Sequence, residues 1–356
     1  MISSRSFLET NVAERSLASL ARQTKRFNFR SVGNFEYLVN GEYRVDLEFT
    51  ILETLERDEI IHFDSPALQS KLSVFFSNRH FLLLNDAIWD LKTGMAFTAD
   101  RKTGVAETSS RSIDQLRSTV LPVAFRPQTL YSNKLYLILP SNGYYHWLLE
   151  DLPNFLHTFN LDSKVEVLVW KGAPSYVFDF LRLMKIDHQM TERFMRIKNV
   201  VTLSHSGNSG FTSQQDLRVL RSFFDCVEVQ DLGVEKCFVS RLGSSRSPFW
   251  EPELLQIMEN KKWKVIQFEK MKLSEQIAIA KNARVLAGIH GAGLSNMIGM
   301  NHGGVVELGG ESFRKCYLAL AKVCSLEYTR LGFNEYKEYT PKNLVRKLAK
   351  EISASY

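Results

Sequence analysis

Residues 283–296 read ARVLAGIHGAGLSN, and this stretch decides how the second half of the chain folds. Its first part, RVLAGI over residues 284–289, is a short apolar run of the kind that forms a buried strand. The small residues after it predict a tight turn, and a helix is predicted over residues 293–299. A strand that leads through such a turn into a helix is typical of a parallel α/β sheet.

The same alternation of strand and helix extends to both sides of this stretch, from residue 235 to residue 332. Strands are predicted at residues 236–240, 263–268, 284–289, 304–308 and 326–331. Helices are predicted at residues 251–260, 273–282, 293–299 and 312–324. Short apolar strands that alternate with helices predict a doubly wound parallel sheet.

A weaker alternation precedes this sheet. Strands are predicted at residues 43–52, 134–139, 164–170 and 198–203. Helices are predicted at residues 1–30, near Tyr144, and at residues 174–185 and 213–224. A chain of 356 residues is too long for one compact core, so two domains are expected.

We expect a first domain over residues 1–230, a second over residues 231–335, and a C-terminal helix within residues 336–356. Because no Pro/Gly-rich linker separates the halves, the two domains are expected to share a cleft.

Composition and charge exclude several classes of protein. The net charge is +6 and no run of five or more Lys or Arg occurs, which argues against a nucleic-acid partner. No stretch of 18 apolar residues occurs, and the first residues lack the apolar segment of a signal peptide, so a cytoplasmic protein is expected. The four cysteines form no Cys-x-x-Cys and no Asp-x-Asp occurs, which argues against zinc, redox and divalent-cation sites.

The turn after the predicted strand 284–289 is a candidate phosphate site. Ligands of doubly wound sheets bind at the carboxyl ends of the strands, where this turn lies. Gly291, Ala292 and Gly293 let a phosphate approach the backbone and the first N–H groups of the helix. His290 can donate to a phosphate oxygen. The alternative is a tight turn with a capping histidine and no ligand.

Two arginines and a glutamate are predicted at the same edge of the sheet. Arg241 and Arg246 follow the strand 236–240, and two guanidinium groups can clamp a diphosphate. Pairing of Arg241 with a carboxylate of its own domain is the alternative. Glu307, near the end of the strand 304–308, can accept from ribose hydroxyls or cap a helix.

His146 and Glu150 are four residues apart and share one face of the helix predicted near Tyr144. A histidine beside a carboxylate is a common way to position a base. Asp151 points about 100° away from Glu150 on an α-helix. The alternative is an i,i+4 pair that only solvates the helix face.

Three blocks of the sequence together resemble glycosyltransferase family 61. They are GYYHWLLEDLP over residues 143–153, FVSR over residues 238–241 with Arg246, and residues 283–296 followed by VVEL over residues 305–308. The resemblance covers residues 140–330. It departs at Trp250-Glu251, where bacterial relatives often carry Asn-Glu, so no role is carried over for that asparagine.

The resemblance implies the GT-B architecture, in which two Rossmann-like domains face a central cleft. It implies an inverting, metal-independent transfer, without a cofactor, from a nucleotide-diphosphate sugar, with a UDP-sugar as the expected donor. The expected acceptor is an oligosaccharide or lipid-linked glycan in cell-surface polysaccharide biosynthesis, of capsule or lipopolysaccharide. The base is expected to be Glu150, with His146 orienting it or binding the acceptor. Asp151 and His146 remain alternatives for the base.

The donor is expected to contact the edge of the second sheet. The residues expected there are Arg241, Arg246, His290, Gly291, Ala292, Gly293, Leu294, Ser295, Asn296 and Glu307. Gln276 matches a recurrent family position and is interpreted as structural. Two other classes of protein remain possible readings of these patterns: a nucleotide-sugar epimerase with two Rossmann-like domains, and a non-catalytic module that binds glycans or nucleotides.

The tail over residues 341–356 carries Leu344, Leu348 and Ile352 on one helix face, beside several basic residues. Such a helix is expected to pack on its own protein, crossing back to the first domain. The alternative is contact with the inner face of an anionic membrane or with a lipid-linked acceptor.

Overall fold

The computed structural model describes residues 28–30, 49–55, 59–65, 70–76, 79–97, 103–105, 108, 127–130, 132–161, 164–205, 210–309, 315–332 and 341–354. The strands are β1 (Asn28–Arg30), β2 (Phe49–Leu55), β3 (Glu59–Ser65), β4 (Ser70–Phe76), β5 (Arg79–Leu84), β6 (Ala87–Asp90), β7 (Met95–Phe97), β8 (Thr103–Val105), β9 (Gln128–Leu130), β10 (Tyr136–Ile138), β11 (Glu166–Trp170), β12 (His188–Thr191), β13 (Phe194–Ile197), β14 (Val200–Leu203), β15 (Lys236–Val239), β16 (Lys264–Ile266), β17 (Val285–Ile289), β18 (Gly304–Gly309) and β19 (Glu327–Gly332). The α-helices are α1 (Tyr144–His146), α2 (Leu152–Leu161), α3 (Ser175–Leu183), α4 (Gln214–Cys226), α5 (Glu251–Asn260), α6 (Leu273–Asn282), α7 (Cys316–Val323) and α8 (Pro341–Ala354). A π-helical turn, Trp147–Asp151, joins α1 to α2, and 3₁₀ helices span Phe268–Lys270 and Ala292–Gly299.

The chain is a mixed α/β protein with several sheets, and it divides into two compact units. The first unit takes in Met1–His62, Ser73–Leu181 and Lys185–Gly210, and the second takes in Phe63–Leu72, Arg182–Met184 and Phe211–Tyr356. The second unit therefore begins its main segment at Phe211, earlier than the boundary expected between residues 230 and 231.

Helix α4 accounts for this earlier boundary, because it packs within the second unit. The Arg221 guanidinium donates to the carbonyl oxygens of Ile298 and Met300, each at 3.3 Å, and to that of Cys324 at 3.2 Å. The Phe224 ring lies so close to Gly299 that a Cβ there would be 2.8 Å from it. The apolar pattern of α4 identified the helix but not the surface on which it packs.

The sheet of the second unit contains the five strands predicted for residues 235–332. Within the described residues its order is β16-β15-β17-β18-β19, and every neighbouring pair is parallel. Strand β17 is buried along its whole length. From β15 the chain first adds β16 on one side and then β17 on the other. The order therefore reverses between β15 and β17, which is where parallel α/β sheets form a crevice at the carboxyl ends of their strands.

The first unit is less regular than the predicted alternation. In the part of the chain that the structure describes, one sheet has the order β12-β11-β10-β14-β5-β2, and only its first four strands are parallel. A second sheet has the order β1-β8-β7-β6-β13-β9. The prediction of a helix over residues 1–30 is wrong at its end, since Asn28–Arg30 forms β1, and its remainder lies outside the described residues.

The C-terminal helix α8 packs against α5 of its own unit. Leu344, Leu348 and Ile352 are buried in one cluster with Leu254 and Met258 of α5. Burying an aliphatic side chain stabilises a fold by about 1.5–3 kcal/mol, so this contact anchors the helix. The tail helix packs on its own protein, and the contact seen is with the second unit, whereas crossing back to the first domain was expected. Within the described ranges, no helix combines the length and the apolar character needed to cross a membrane.

Candidate functional site

The reversal of strand order in the second unit brings together the segments that follow β15 and β17. Arg241 lies just after β15 and His290 directly after β17. One guanidinium nitrogen of Arg241, Nη1, donates to the backbone carbonyl of His290. The sequence-predicted residues at these two positions therefore meet at the crevice of the sheet.

The turn after β17 is held close to the sheet by its glycines. The backbone N–H of His290 donates to the carbonyl of Leu308 at 2.8 Å, which extends the pairing of β17 with β18. A Cβ at Gly293 would lie 2.7 Å from Cγ1 of Val239, so a larger residue would push the turn away from β15. A Cβ at Gly291 would likewise lie 3.1 Å from Nη1 of Arg241. In this turn, therefore, the backbone at Gly291 lies beside Arg241 with no side chain between them.

The helix after this turn is a 3₁₀ helix, Ala292–Gly299, where an α-helix was predicted. Its first N–H groups have no acceptor within the helix and are available to a ligand. Leu294, Ser295 and Asn296 are fully buried. Ser295 Oγ donates to the carbonyl of Ala292 at 2.5 Å, and Asn296 Nδ2 donates to that of Gly293 at 3.2 Å. These three side chains stabilise the turn from inside, and its less buried residues are His290, Ala292 and Gly293.

His290 is oriented by a buried carboxylate. Its Nδ1 lies 2.5 Å from Oε1 of Glu307, whose side chain is 1% exposed, whereas the imidazole is 28% exposed. The second oxygen of Glu307, Oε2, accepts from the hydroxyl of Tyr328. Glu307 therefore lies at the predicted edge, but both of its oxygens are engaged inside the protein.

Tyr317, on α7, supports the same turn from the other side. Its hydroxyl donates to the carbonyl of Gly291 at 2.6 Å, and its ring packs edge-on against the His290 ring at 5.1 Å between centroids. Burial raises the pKa of the Tyr317 phenol well above its usual value, so it remains a donor. Tyr317 and Tyr328 could not be predicted from the sequence, because their contacts with Gly291 and Glu307 span 26 and 21 positions of the chain.

The charge of Arg241 at this crevice is compensated only through space, by Glu251 and Glu269. Within the described residues no carboxylate lies at ion-pair distance from its guanidinium, so pairing with a carboxylate, the alternative considered for it, is not observed. Partial burial, followed by the charge of Arg246, lowers the pKa of the Arg241 guanidinium. Two arginines that repel each other on a glycine-lined turn form a favourable place for an anion.

The loop that carries both arginines is tied to the buried side chain of Glu251. Oε1 of Glu251 accepts from Ser240 Oγ at 2.9 Å and from the backbone N–H of Arg241 at 2.5 Å. Its Oε2 accepts from Ser247 Oγ at 2.5 Å. From the sequence, no role was predicted for Glu251, which was named only as the residue after Trp250. Serines on both sides of the arginines were the available signal that a buried acceptor organises this loop.

Gln276 has the structural position expected of it. Its side chain is buried, and Nε2 donates to the carbonyl oxygens of Phe268 and Met271 at 3.0 and 3.1 Å. These bonds connect the start of α6 to the 3₁₀ helix Phe268–Lys270. Phe268 in turn lies 3.2 Å from the place of a Cβ at Gly293, so Gln276 supports the turn indirectly.

In the first unit, the predicted acidic residues lie on a π-helical turn. The helix that begins at Tyr144 changes at Trp147–Asp151 to π geometry and continues as α2. The predicted α-helical angle between Glu150 and Asp151 therefore does not apply. π-turns within helices are rare and occur often at functional sites. The widened turn leaves both carboxylates buried, with Glu150 4% and Asp151 5% exposed.

His146 and Glu150 are in contact, as their spacing predicted. Nδ1 of His146 lies 3.0 Å from Oε2 of Glu150, and the other oxygen, Oε1, accepts from the backbone N–H of Gly210 at 2.8 Å. The Tyr145 hydroxyl donates to the carbonyl of the same glycine at 2.9 Å. The His146 side chain is 33% exposed and that of Glu150 only 3%. The imidazole is thus the part of this pair that a ligand can reach.

Asp151 forms a hydrogen bond with Asn142, in the segment before the helix. Its Oδ2 accepts from Asn142 Nδ2 at 2.6 Å, and the Asn142 carbonyl accepts from the Tyr176 hydroxyl. Asp151 also borders a small interior cavity lined by Trp89 and Thr158. Among the residues that the structure describes, no three His, Cys, Asp or Glu side chains are grouped as metal ligands would be.

Comparison with known proteins identifies part of the chain. Residues 144–306 match the family model Glycosyltransferase 61. A search of curated proteins finds no match to the chain. The matched stretch begins two residues before His146 and ends one residue before Glu307, so it contains the helix of the first unit and most of the crevice of the second. This stretch is a glycosyltransferase family 61 domain, which implies a glycosyltransferase.

Proposed function

From the glycosyltransferase family 61 domain over residues 144–306, we propose that the chain transfers a sugar from a nucleotide-diphosphate sugar to a glycan acceptor, with inversion at the anomeric carbon. The observation that carries the proposal is the crevice after β15 and β17, where Arg241, Arg246 and the turn at His290 converge. Arginine side chains beside backbone N–H groups at the start of a helix suit a diphosphate.

The finer parts of the proposal follow the resemblance of the sequence. The donor is a UDP-sugar, the architecture is GT-B, and the acceptor is an oligosaccharide or lipid-linked glycan of a cell-surface polysaccharide. The protein is proposed to act in the cytoplasm without a metal or a cofactor. In place of a metal, Arg241 and Arg246 stabilise the negative charge that develops on the leaving nucleoside diphosphate.

We assign the base to His146, the third candidate of the sequence analysis. The base must reach the hydroxyl of the acceptor, and His146 is the exposed member of its pair. Both oxygens of Glu150 are already in contact with Gly210 and His146. Glu150 is therefore assigned as a positioning residue, whose buried carboxylate lies 3.0 Å from Nδ1 of His146.

In the proposed reaction, His146 takes up the proton that is released, and Arg241 stabilises the leaving group. Nε2 of His146 takes the proton of the acceptor hydroxyl while the hydroxyl oxygen forms a bond to the anomeric carbon. The bond between that carbon and the phosphate oxygen breaks on the opposite face. The nucleoside diphosphate leaves as an anion on Arg241 and the turn at residues 290–293.

A transfer assay tests the proposal. The protein is incubated with UDP-, GDP- or CMP-sugars that carry a label on the sugar, with and without a mixture of oligosaccharide acceptors. We expect labelled oligosaccharide and free nucleoside diphosphate only when both substrates are present. Conversion of the nucleotide sugar without any acceptor would instead indicate an epimerase. Binding of nucleotides or glycans with no turnover of any donor would indicate a binding module.

A further inference from the structure

A series of polar side-chain contacts behind His290 includes one residue, Tyr328, that was not predicted for the site. It runs from Tyr328 on β19, through Glu307 on β18, to His290 after β17. Its order follows the sheet, in which these three strands are neighbours. Each link is a direct side-chain contact, so a change at Tyr328 reaches His290 through a single carboxylate.

Tyr328 acts as a hydrogen-bond donor in this chain. Burial, followed by the charge of Glu307, raises the pKa of the Tyr328 phenol far above its usual value. The phenol therefore keeps its proton and donates a hydrogen bond to Oε2 of Glu307. An ionised carboxylate can only accept hydrogen bonds. Oε1 of an ionised Glu307, at 2.5 Å from Nδ1 of His290, then accepts a hydrogen bond from the N–H group at Nδ1.

We propose that Tyr328 is a positioning residue of the donor site, which acts through Glu307 to hold the proton of His290 on Nδ1 and to present Nε2 to the ligand. This inference rests on the proposed function for the identity of the ligand, a nucleoside diphosphate. The arrangement of the proton itself is a property of the free protein.

The described groups around His290 make no hydrogen bond to Nε2, so this nitrogen can contact the ligand. Among the described residues, the titratable or charged groups in contact with His290 are Glu307 from β18, Tyr317 from α7 and Arg241 after β15, and Tyr328 from β19 contacts Glu307. Tyr317 donates to the carbonyl of Gly291 and Arg241 to the carbonyl of His290 itself, so neither occupies Nε2. Within the described residues no hydrogen bond to Nε2 is present.

The chemical consequence is that Nε2 is the nitrogen presented to the ligand. With the proton held on Nδ1, Nε2 of a neutral imidazole accepts a hydrogen bond and Nε2 of an imidazolium donates one. A phosphate oxygen pairs with the charged form. Without the phenol of Tyr328, Glu307 would be free to turn, and the neutral ring would carry its proton on either nitrogen.

Two-bond ¹H–¹⁵N NMR of the ¹⁵N-histidine-labelled protein tests the inference. Spectra are recorded without ligand at about pH 8.5, where an ordinary imidazole is neutral. The signals of His290 are identified by their loss in His290→Asn. We expect the pattern of a proton on Nδ1 in the wild type, a mixture of both forms in Tyr328→Phe, and a proton on Nε2 in Glu307→Gln, whose amide can donate to Nδ1.

Tyr317→Phe is the matched control, because it also removes a hydroxyl beside the His290 ring, but one that is bonded to a backbone carbonyl. Its His290 signals should keep the wild-type pattern. A proton on Nε2 in the wild type would overturn the inference, as would a wild-type pattern in Tyr328→Phe.

Calorimetric titration with UDP separates this inference from the proposed function. We expect affinity to fall three- to tenfold in Tyr328→Phe, by analogy with the loss of one hydrogen bond, about 0.5–1.5 kcal/mol. If UDP did not bind the wild type at all, the proposed function would fail. The NMR patterns would still decide whether Tyr328 positions the proton of His290.

Discussion

Nδ1 of His146 lies 3.0 Å from a carboxylate oxygen of Glu150, and of the two side chains only the imidazole is substantially exposed. The same relationship recurs in the second unit between His290 and Glu307, at 2.5 Å. In each pair the glutamate is buried and engaged on both oxygens. We propose that each glutamate orients its histidine, which is the more exposed member of each pair.

The first prediction concerns His146 as the base. His146→Ala should lower the turnover of sugar transfer by about 10²–10⁴-fold, the usual contribution of a general base. The affinity for the nucleotide should stay within twofold, because the histidine acts on the acceptor. Added imidazole should restore part of the turnover, since it can enter the space left by the side chain. Turnover and calorimetric titration measure the two effects.

A matched control is His188→Ala, which removes an exposed histidine at β12 of the same unit and should leave turnover unchanged. Activity of His146→Ala equal to that of the wild type would remove His146 as the base. If Glu150→Ala abolished turnover while His146→Ala retained most of it, the base would be Glu150.

The second prediction concerns the loop that carries the arginines. Glu251→Gln keeps the size of the side chain but removes the charge that accepts from Ser240, Arg241 and Ser247. Hydrogen bonds to a charged group contribute about 1.5–3 kcal/mol, and part of this should be lost. We expect the affinity for UDP to fall about tenfold in calorimetric titrations.

Glu253→Gln, on the same helix, is the control for Glu251→Gln, because Glu253 makes no contact with the loop in the described structure. Unchanged UDP affinity in Glu251→Gln, with the fold intact by circular dichroism, would show that Glu251 does not organise the loop.

The fold of the second unit was predictable because its strands are short, apolar and evenly spaced. The strands β15, β17, β18 and β19 were each predicted to within one residue at either end. The 3₁₀ helix Ala292–Gly299 was not predicted as such, because its geometry depends on how closely Gly293 packs on Val239. The antiparallel strands of the first unit were less predictable, since β6, β7 and β13 have only three or four residues each.

The location of the candidate residues at the sheet edge could be predicted, whereas their roles stay predictions. His290, Arg241 and Glu307 lie at the predicted sheet edge, because strand ends can be located from the pattern. The direction of each side chain depends on partners distant in sequence, such as Tyr328 for Glu307. The buried state of Glu150 likewise depends on the π-turn and on Gly210, neither of which has a local sequence signal.

The third prediction concerns metal ions. Transfer should keep its full rate in excess EDTA, because arginine side chains are proposed to stabilise the leaving group. The initial rate is measured before and after dialysis against EDTA, with and without added Mn²⁺. A rate that is lost on dialysis and restored by Mn²⁺ would contradict the metal-independent mechanism.

The fourth prediction concerns stability at high pH. Burial raises the pKa of the Cys237 thiol from 9.0 to about 12. Between these values the unfolded chain loses the proton while the folded chain keeps it. The stabilisation is therefore complete below pH 9 and declines as the pH rises towards 12. We expect a lower midpoint of urea unfolding at pH 10.5 than at pH 7.

Cys237→Ala should show a smaller decline between these two pH values, because its side chain does not titrate. Cys226→Ala, which changes an exposed cysteine of the same unit, serves as the control and should decline as the wild type does. An equal decline in Cys237→Ala and the wild type would show that this thiol does not contribute.

The central claim is that a nucleoside diphosphate binds at the crevice after β15 and β17, and calorimetric titration of UDP tests it most directly. The wild type and Arg218→Ala, which changes an exposed arginine on α4, should bind UDP equally. Arg241→Ala should bind at least tenfold more weakly, since it loses charge-assisted hydrogen bonds of about 1.5–3 kcal/mol. Equal affinity in Arg241→Ala and the wild type, or no binding of UDP, GDP or CMP to the wild type, would contradict the claim.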